Sequence, residues 1–369
     1  MASSAEQFAS SFNFGALSKA ADLKKRIWFT LAALVVYRLG TYIPIPGIDP
    51  AILKEIFDQN AGGILGMFDM FAGGALGRMT IFALNIMPYI SAAIIMQLMT
   101  AVSPNLDTLK KEGEAGRKKI NQYTRYLTVL LAAVQAYGIS VGLENMASGG
   151  GAAVINPGLF FRATTVITLV GGTVFLMWLG EQITARGIGN GISLIIFAGI
   201  VANLPQALAG TLELGRTGAL SAAFIVLLLL MAIAVIAFIV FIERSQRKIT
   251  VQYPKRQMGN KMTGGESSHL PLKLNVSGVI PPIFASSILL MPVTFAQFSA
   301  SGGGPEWLTT INALLGRGQP LYLAVYIGLI VFFAFFYTAI VFNPDETADN
   351  LKKYSGFVPR IRPGKNTAD

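Results

Sequence analysis

Long apolar stretches alternate with shorter polar segments along the whole chain. A helix needs about 20 predominantly apolar residues to cross the hydrocarbon core of a bilayer, and eight stretches have roughly that length. They run over 27–45, 79–102, 126–143, 159–180, 192–208, 220–242, 279–298 and 321–342. The pattern predicts an all-α polytopic membrane protein with eight transmembrane helices.

Charged and helix-breaking residues are scarce within these stretches. Only Arg38 and Arg162 are charged, and each lies toward one end of its stretch. We predict that both extend their long side chains to the membrane interface. Pro88 lies inside the second stretch and is expected to kink that helix, because proline has no N–H to donate.

The distribution of Lys and Arg predicts the orientation. Loops rich in these residues stay on the cytoplasmic side. The N-terminal segment and every second loop together carry 23 of them, whereas the alternate loops carry only Lys54, Arg78, Arg216 and Arg317. Both termini are therefore predicted to be cytoplasmic, which agrees with an even number of spans.

Composition narrows the possible chemistry. The 369 residues carry a net charge of +10, are 53% hydrophobic and 13% charged, and include no Cys and one His. Thiolate catalysis and Cys- or His-based metal sites are therefore excluded. The eight stretches contain no Asp or Glu, so a proton-coupled transporter or an intramembrane aspartyl protease is disfavoured. The P-loop pattern is also missing. We predict no catalytic residue, no metal site and no cofactor.

The segment 63–76, between the first two stretches, is apolar but too short to cross a membrane. Such a segment is typically re-entrant or buried, because its backbone must be covered by protein or water. An ordinary external cap is the alternative interpretation.

Several motifs, in this order, resemble the bacterial SecY family over nearly the whole chain. They are Ile43-Pro44-Ile45-Pro46-Gly47, Met70-Phe71 with Gly73-Gly74-Ala75-Leu76, Ile86-Met87-Pro88-Tyr89-Ile90-Ser91, Gly180-Glu181-Gln182-Ile183-Thr184, Gly187-Ile188-Gly189-Asn190-Gly191, and Asn343-Pro344 through Ala348-Asp349-Asn350-Leu351-Lys352-Lys353. The resemblance implies a helix bundle of two pseudo-symmetric halves around a central pore.

The family has ten spans, of which this sequence is expected to contain eight. The implied organisation is a cytoplasmic N-terminal segment, 1–26, an N-terminal half, 27–215, and an incomplete C-terminal half, 216–369. The N-terminal half holds the first five spans. The C-terminal half holds three spans and the cytoplasmic loops 243–274 and 343–369.

The resemblance also implies four groups of site residues. The pore ring comprises Ile86, Ile90, Ile196 and Ile283. The plug, about 63–76, includes Phe68, Asp69, Phe71, Gly73 and Gly74. The lateral gate comprises Ser91, Gln135 and Asn275, for which simple helix–helix hydrogen bonding is an equal alternative. The residues expected to dock SecA or the ribosome are Arg244, Arg247, Lys248, Lys255, Arg256, Lys261, Arg360 and Arg362, although topology alone explains many of these cations.

The function implied is a channel in the bacterial inner membrane that moves unfolded secretory proteins across and releases membrane-protein helices sideways into lipid. The expected partners are the SecE and SecG subunits, the SecA ATPase, the ribosome, preprotein signal sequences and membrane lipids. The alternative is a small-solute or ion transporter of another class, which saturable uptake of a small solute without SecA would favour.

Overall fold

The computed structural model describes residues 21–59, 69, 72–145, 147–148, 151–253, 256–258, 261–263, 267–286, 288–289, 320–354, 356–359 and 361–368. Contacts between residues divide the chain into two compact units. The first contains Met1–Ala209 with Ser287–Leu323, and the second contains Gly210–Ser286 with Ala324–Asp369. The pseudo-symmetric division near Gly215 stays a prediction.

Helices dominate the described part of the chain up to residue 216. They are α1 Ala21–Gly40, α2 Pro50–Gln59, α3 Met87–Val102, α4 Pro104–Lys111, α5 Glu114–Asn145, α6 Leu159–Arg186, α7 Gly191–Ala202 and α8 Leu204–Arg216. Two short strands, β1 Ala147–Ser148 and β2 Gly151–Ala152, pair between α5 and α6. Because α1, α3, α5 and α7 all contact α6, that helix lies at the centre of the first unit.

The helices later in the chain are α9 Ala222–Arg244, α10 Pro320–Val341, α11 Pro344–Lys353 and the short α12 Lys365–Ala368. Between α9 and the helical residues 280–286 lie strands that the all-α prediction did not include. They are β3 Gln246–Gln252, β4 Arg256–Met258, β5 Lys261–Thr263 and β6 Ser267–Lys273. β3 pairs with β6 and β4 with β5, both antiparallel, so the cytoplasmic loop predicted at 243–274 contains β-structure.

The described residues contain five helices long and apolar enough to cross a membrane, or six if the bent pair α3 and α4 counts as one. The five are α5, α6, α7 together with α8, α9, and α10. α1 is not among them, because charged residues at both of its ends shorten its apolar part. Half of the predicted seventh stretch, 279–298, lies outside the described residues, so the number eight stays a prediction.

The second predicted span begins later than expected. Residues 72–86 form successive turns around a single β-bridge residue, Thr80, and α3 starts only at Met87. Pro88 is the second residue of α3, where the missing N–H leaves no helical hydrogen bond unmade. The predicted proline kink is therefore wrong, because Pro88 begins the helix and does not interrupt it.

Turns and helices of the first unit enclose a hydrophobic core. Its buried members are Ile45, Ile48, Leu53, Ala72, Ala75, Leu76, Met79, Ala83, Ala136, Leu143, Val154, Phe161 and Leu169. Backbone hydrogen bonds hold the turns in place, since the Ile45 N–H donates to the Met79 carbonyl and the Ile81 N–H to the Ile43 carbonyl. The residues that precede α3 are thus fixed to those that follow α1.

Candidate functional site

The first two predicted pore-ring residues lie at the start of α3. Ile86 immediately precedes the helix and Ile90 lies one turn later, with the Ile90 N–H donating to the Ile86 carbonyl at 3.1 Å. Both side chains are buried. Ile196 lies half-buried on α7, which packs on α6 as α3 does. Ile283 belongs to the second unit and lies in the helical residues 280–286.

Asn85 holds an unusual backbone conformation directly before Ile86. Its φ is +49°, in the left-handed region that Asn tolerates better than most residues. The side chain is buried, and its Oδ1 accepts a hydrogen bond from the Ile86 N–H at 2.9 Å. Asn85 therefore sets the direction in which the chain enters α3 and with it the position of Ile86.

A close approach between backbones fixes the turns before α3 against α6. A Cβ atom at Gly172 would lie only 2.0 Å from the carbonyl oxygen of Ile81 and 3.3 Å from Cδ1 of Phe82. Phe82 stacks between Tyr37 and Phe175, with ring centroids 6.1 Å and 5.8 Å away. Small residues at such contacts let membrane helices pack closely. Only glycine fits at position 172 without moving the Ile81 backbone.

The predicted plug segment is partly described. Phe68 and Phe71 lie outside the described residues. Asp69 Oδ1 accepts a hydrogen bond from the Gly77 N–H at 2.6 Å, and its carbonyl accepts one from the Gly74 N–H at 2.8 Å. Gly73 and Gly74 have φ of +67° and +83°, which glycine adopts without strain. The segment thus closes on itself through Asp69.

Arg38 binds this segment from the end of α1. Its Nη1 donates to the Gly73 carbonyl at 2.7 Å, and its Nη2 donates to the Tyr42 hydroxyl at 3.1 Å. The Tyr42 ring also lies 4.4 Å from the Arg78 guanidinium carbon, a cation–π contact. Protein groups therefore accept hydrogen bonds from both terminal nitrogens of Arg38, and its position at the membrane interface stays a prediction. We call Arg38, Tyr42, Gly73 and Arg78 the plug latch.

The predicted gate residues fall in both units. Ser91 lies on α3 and Gln135 on α5, and these two helices pack against each other. Asn275 belongs to the second unit, where its Nδ2 donates to Glu243 Oε1 at 2.8 Å. Its Oδ1 accepts from Ser277 Oγ at 3.0 Å and from the Gly278 N–H at 3.1 Å. Asn275 thus joins the end of α9 to the residues after β6, and its gate role stays a prediction.

The predicted docking cations lie in the second unit. Arg244 ends α9, and Arg247 and Lys248 are exposed on β3. Arg362 is exposed in the last loop, and its carbonyl accepts a hydrogen bond from Thr367 Oγ1 at 2.8 Å. Arg256 lies in β4 and Lys261 in β5, whereas Lys255 and Arg360 lie outside the described residues. β3 and the last loop therefore carry exposed basic side chains.

Two ion pairs between α5 and α6 were not predicted from the sequence. Glu144 accepts two hydrogen bonds from Arg162, the shorter at 2.6 Å, and a third from the Gly158 N–H. Arg162 therefore has a protein partner, and its position at the membrane interface stays a prediction. Near the other end of the helix pair, Arg125 binds Glu181 in a bidentate arrangement at 2.7 and 2.8 Å. The sequence did contain a signal for these pairs, because Glu144 and Glu181 each come directly after an apolar stretch.

The glycine-rich motif 187–191 forms a tight turn between α6 and α7. A Cβ atom at Gly191 would lie 2.0 Å from the Gly180 carbonyl oxygen, and one at Gly187 would lie 2.4 Å from Thr30 Oγ1. Asn190 caps α7 by accepting from the backbone N–H of Ile192. The glycines of this motif therefore let the turn between α6 and α7 lie close to α1 and to α6 itself.

Comparison with known proteins agrees with this architecture. A family model described as SecY matches residues 80–369. The chain belongs to the SecY family. The protein translocase subunits SecY of Rickettsia conorii and Escherichia coli strain K12 are each 58% identical to it, over 94% of this chain and over 80% and 78% of theirs.

Solved structures share the fold at low sequence identity. A structure described as that of a protein conducting channel has a TM-score of 0.67 at 17% identity. The match covers 94% of this chain and 80% of the chain in that structure. One on the plug domain of SecY, described as stabilising the closed state and maintaining a membrane seal, has a TM-score of 0.59 at 18% identity, with the same coverage. The structure of Sec61 in the canine ribosome-channel complex has a TM-score of 0.53 at 18% identity. The match covers 76% of this chain and 60% of the Sec61 chain.

Membership of the SecY family makes the chain a channel subunit of a protein translocase and a multi-pass membrane protein. The predicted helical channel fold is confirmed, with the strands β3 to β6 as an element that the prediction lacked. The roles assigned to individual residues stay predictions.

Proposed function

We propose that the chain conducts unfolded secretory proteins across the bacterial inner membrane and releases membrane-protein helices sideways into lipid. It performs no covalent chemistry of its own, so SecA or the translating ribosome supplies the driving force. SecE and SecG are the partner subunits, and signal sequences and lipids contact the gate. Both termini of this chain face the cytoplasm. The family membership, with 58% identity to protein translocase subunits, carries this proposal.

The pore is proposed to seal by an apolar constriction. A narrow ring of aliphatic side chains excludes water and ions by dewetting, and β-branched Ile is stiff at χ1. Ile86 and Ile90 are buried, and the turns over residues 72–86 lead directly into them. This supports the assignment, because the described plug residues and these two ring members belong to the same compact unit. Ile196 and Ile283 are the other proposed members.

Substituting Ile86 or Ile90 with Ser is expected to raise the resting ion conductance about tenfold, because a hydroxyl lets water persist in the constriction. The measurement is single-channel conductance of the reconstituted subunit in planar bilayers. Ile86→Val is the matched control, because it keeps the branched apolar surface and should remain sealed. Wild-type conductance in both Ser variants would remove these residues from the ring.

Docking on the basic loops is tested by charge reversal. Arg362→Glu is expected to lower SecA-driven translocation about tenfold, because a carboxylate repels an acidic or phosphate-bearing partner. The measurement is protease protection of a preprotein after reconstitution with SecE, SecA and ATP. Arg216→Glu makes the same charge change in a loop assigned to the other side and should leave translocation intact. Equal translocation by the wild-type and Arg362→Glu chains would contradict the docking role.

A further inference from the structure

The plug segment lies against α7 as well as against α1. A Cβ atom at Gly73 would lie 3.0 Å from the carbonyl oxygen of Gly199 and 3.1 Å from its Cα atom, so the two backbones approach closely. Gly199 is buried on α7. The same Cβ atom would lie 3.2 Å from Nη1 of Arg38, which donates to the Gly73 carbonyl. Gly73 is therefore held between one residue of α1 and one residue of α7.

The turn 187–191 fixes the other ends of these two helices. The Ile188 N–H donates to the hydroxyl of Thr30 on α1 at 3.2 Å. Thr30 is 9% exposed, so water has little access to the place of its hydroxyl. The Gly191 N–H, at the start of α7, donates to Thr184 Oγ1 of α6 at 2.8 Å. Both α1 and α7 are thus attached at the turn through threonine hydroxyls.

The two helices span equal lengths between the turn and the plug segment. Thr30 and Arg38 are eight residues apart on α1, and Gly191 and Gly199 are eight residues apart on α7. At a rise of about 1.5 Å per residue, each helix covers about 12 Å. α1, α6 and α7 also pack against one another. A displacement of either helix at the turn would therefore change the space that Gly73 occupies.

We propose that the hydroxyls of Thr30 and Thr184 position the plug segment from the far ends of α1 and α7. Thr30 fixes α1, which carries Arg38, and Thr184 fixes α7, which carries Gly199. The inference rests on the proposed function and on the predicted role of residues 63–76 as its plug. It makes the seal depend on a turn about 12 Å away from the plug. A substitution at that turn should loosen the plug segment without contacting it.

Hydrogen exchange of backbone amides in the plug segment tests the inference. Thr30→Val removes the hydroxyl and keeps the branched shape, whereas Thr30→Ser keeps the hydroxyl. The N–H groups to follow are those of Gly74, Ala75 and Gly77, each of which donates within the segment. In proteoliposomes we expect them to exchange about fivefold faster in Thr30→Val, the factor for one lost hydrogen bond. Thr30→Ser should exchange as the wild type does.

Thr128→Val is the matched control for Thr30→Val. Thr128 is a buried threonine on α5, and its hydroxyl donates to the Thr124 carbonyl of its own helix at 2.7 Å. Thr30 makes the same kind of bond, to the Arg26 carbonyl at 2.9 Å, in addition to its contact with Ile188. Thr128→Val should therefore leave exchange in the plug segment unchanged. Equal acceleration by both Val variants would assign the effect to a general loss of stability and overturn the positioning role.

Thr184→Val tests the attachment of α7. It removes the acceptor of the Gly191 N–H, and Thr184→Ser restores one. We expect faster exchange in the plug segment and a smaller effect than in Thr30→Val, because Thr184 is exposed and water can replace its hydroxyl. Resting conductance in planar bilayers should rise in the same order. Val variants that unfold at a lower temperature, yet keep wild-type exchange and conductance, would limit these hydroxyls to local packing and overturn the inference.

The outcomes distinguish this inference from the proposed function. If the wild-type subunit with SecE, SecA and ATP never protects a preprotein from protease, the proposed function fails. Hydrogen exchange then still decides whether Thr30 positions residues 74–77, because it needs no translocation. If translocation proceeds while Thr30→Val protects these amides as the wild type does, the proposed function holds and the positioning role fails.

Discussion

Replacing Gly172 with Ala is expected to destabilise the first unit by about 3 kcal/mol and to raise the resting ion conductance. The added methyl group would lie 2.0 Å from the Ile81 carbonyl oxygen, which is backbone and cannot rotate away. Overpacking of this kind typically costs about 1–3 kcal/mol. The displaced turn leads directly to Ile86, so the proposed ring should open as the packing is lost. Thermal unfolding of the purified subunit and its bilayer conductance measure the two effects.

The neighbouring glycine provides the matched control. Gly171 lies on the exposed side of α6, and a Cβ atom there meets nothing within 4 Å. Gly171→Ala should therefore be neutral or stabilise the helix by up to about 1 kcal/mol, because alanine is the better helix former. If both variants unfold at the wild-type temperature and stay sealed, the contact between α6 and the Ile81 backbone does not hold the ring in place.

Gly171 and Gly172 also show what the sequence alone can predict. Apolar stretches located the helices well, since 159–180 and 321–342 begin at or within one residue of α6 and α10. Length and hydropathy report the helix directly, because each residue in the bilayer core must be apolar. The pattern does not say which of two adjacent glycines faces another backbone. That distinction depends on how α6 packs, which no local pattern contains.

Hydrogen bonds and ion pairs between segments far apart in the chain could likewise not be predicted from the sequence. The sequence placed Arg38 and Arg162 toward the ends of spans and predicted that both reach the membrane interface, but it identified no protein partner for either. The structure pairs them with Gly73 and Glu144, which come from other segments of the chain. Pro88 was misjudged for a related reason. Hydropathy alone included 79–86 in the helix, although Met79 and Asn85 adopt positive φ and the helix begins only at Met87.

The candidate site depended on the family resemblance more than on physical pattern. Isoleucine spacing at 86 and 90 is common in packed helices, and only the resemblance distinguished these positions as a ring. The charge pattern, by contrast, identified the basic loops by itself. It could not predict the β3–β6 hairpin or its bridge to Phe357, because strand pairing depends on residues far apart in the chain.

Replacing Arg38 with Leu is expected to release the described plug residues and to let preproteins with weak signal sequences be exported. The substitution removes the charge-assisted hydrogen bond to the Gly73 carbonyl, a contact of 2.7 Å. Such bonds contribute about 1.5–3 kcal/mol, so the equilibrium between seated and displaced plug should shift by at least about tenfold. The measurements are export of a signal-weakened preprotein in cells and resting conductance in bilayers, both of which should rise.

Two further variants separate the parts of the plug latch. Tyr42→Phe removes the hydroxyl that accepts from Arg38 but keeps the ring beside Arg78, so its effect should be small. Arg38→Lys keeps the charge and a donor but loses the planar fork, so it should fall between the wild type and Arg38→Leu. The hydrogen bond to Gly73 predicts this order of effects. If Tyr42→Phe leaked as much as Arg38→Leu, the contact with Tyr42, and not the bond to the plug segment, would be what keeps the channel closed.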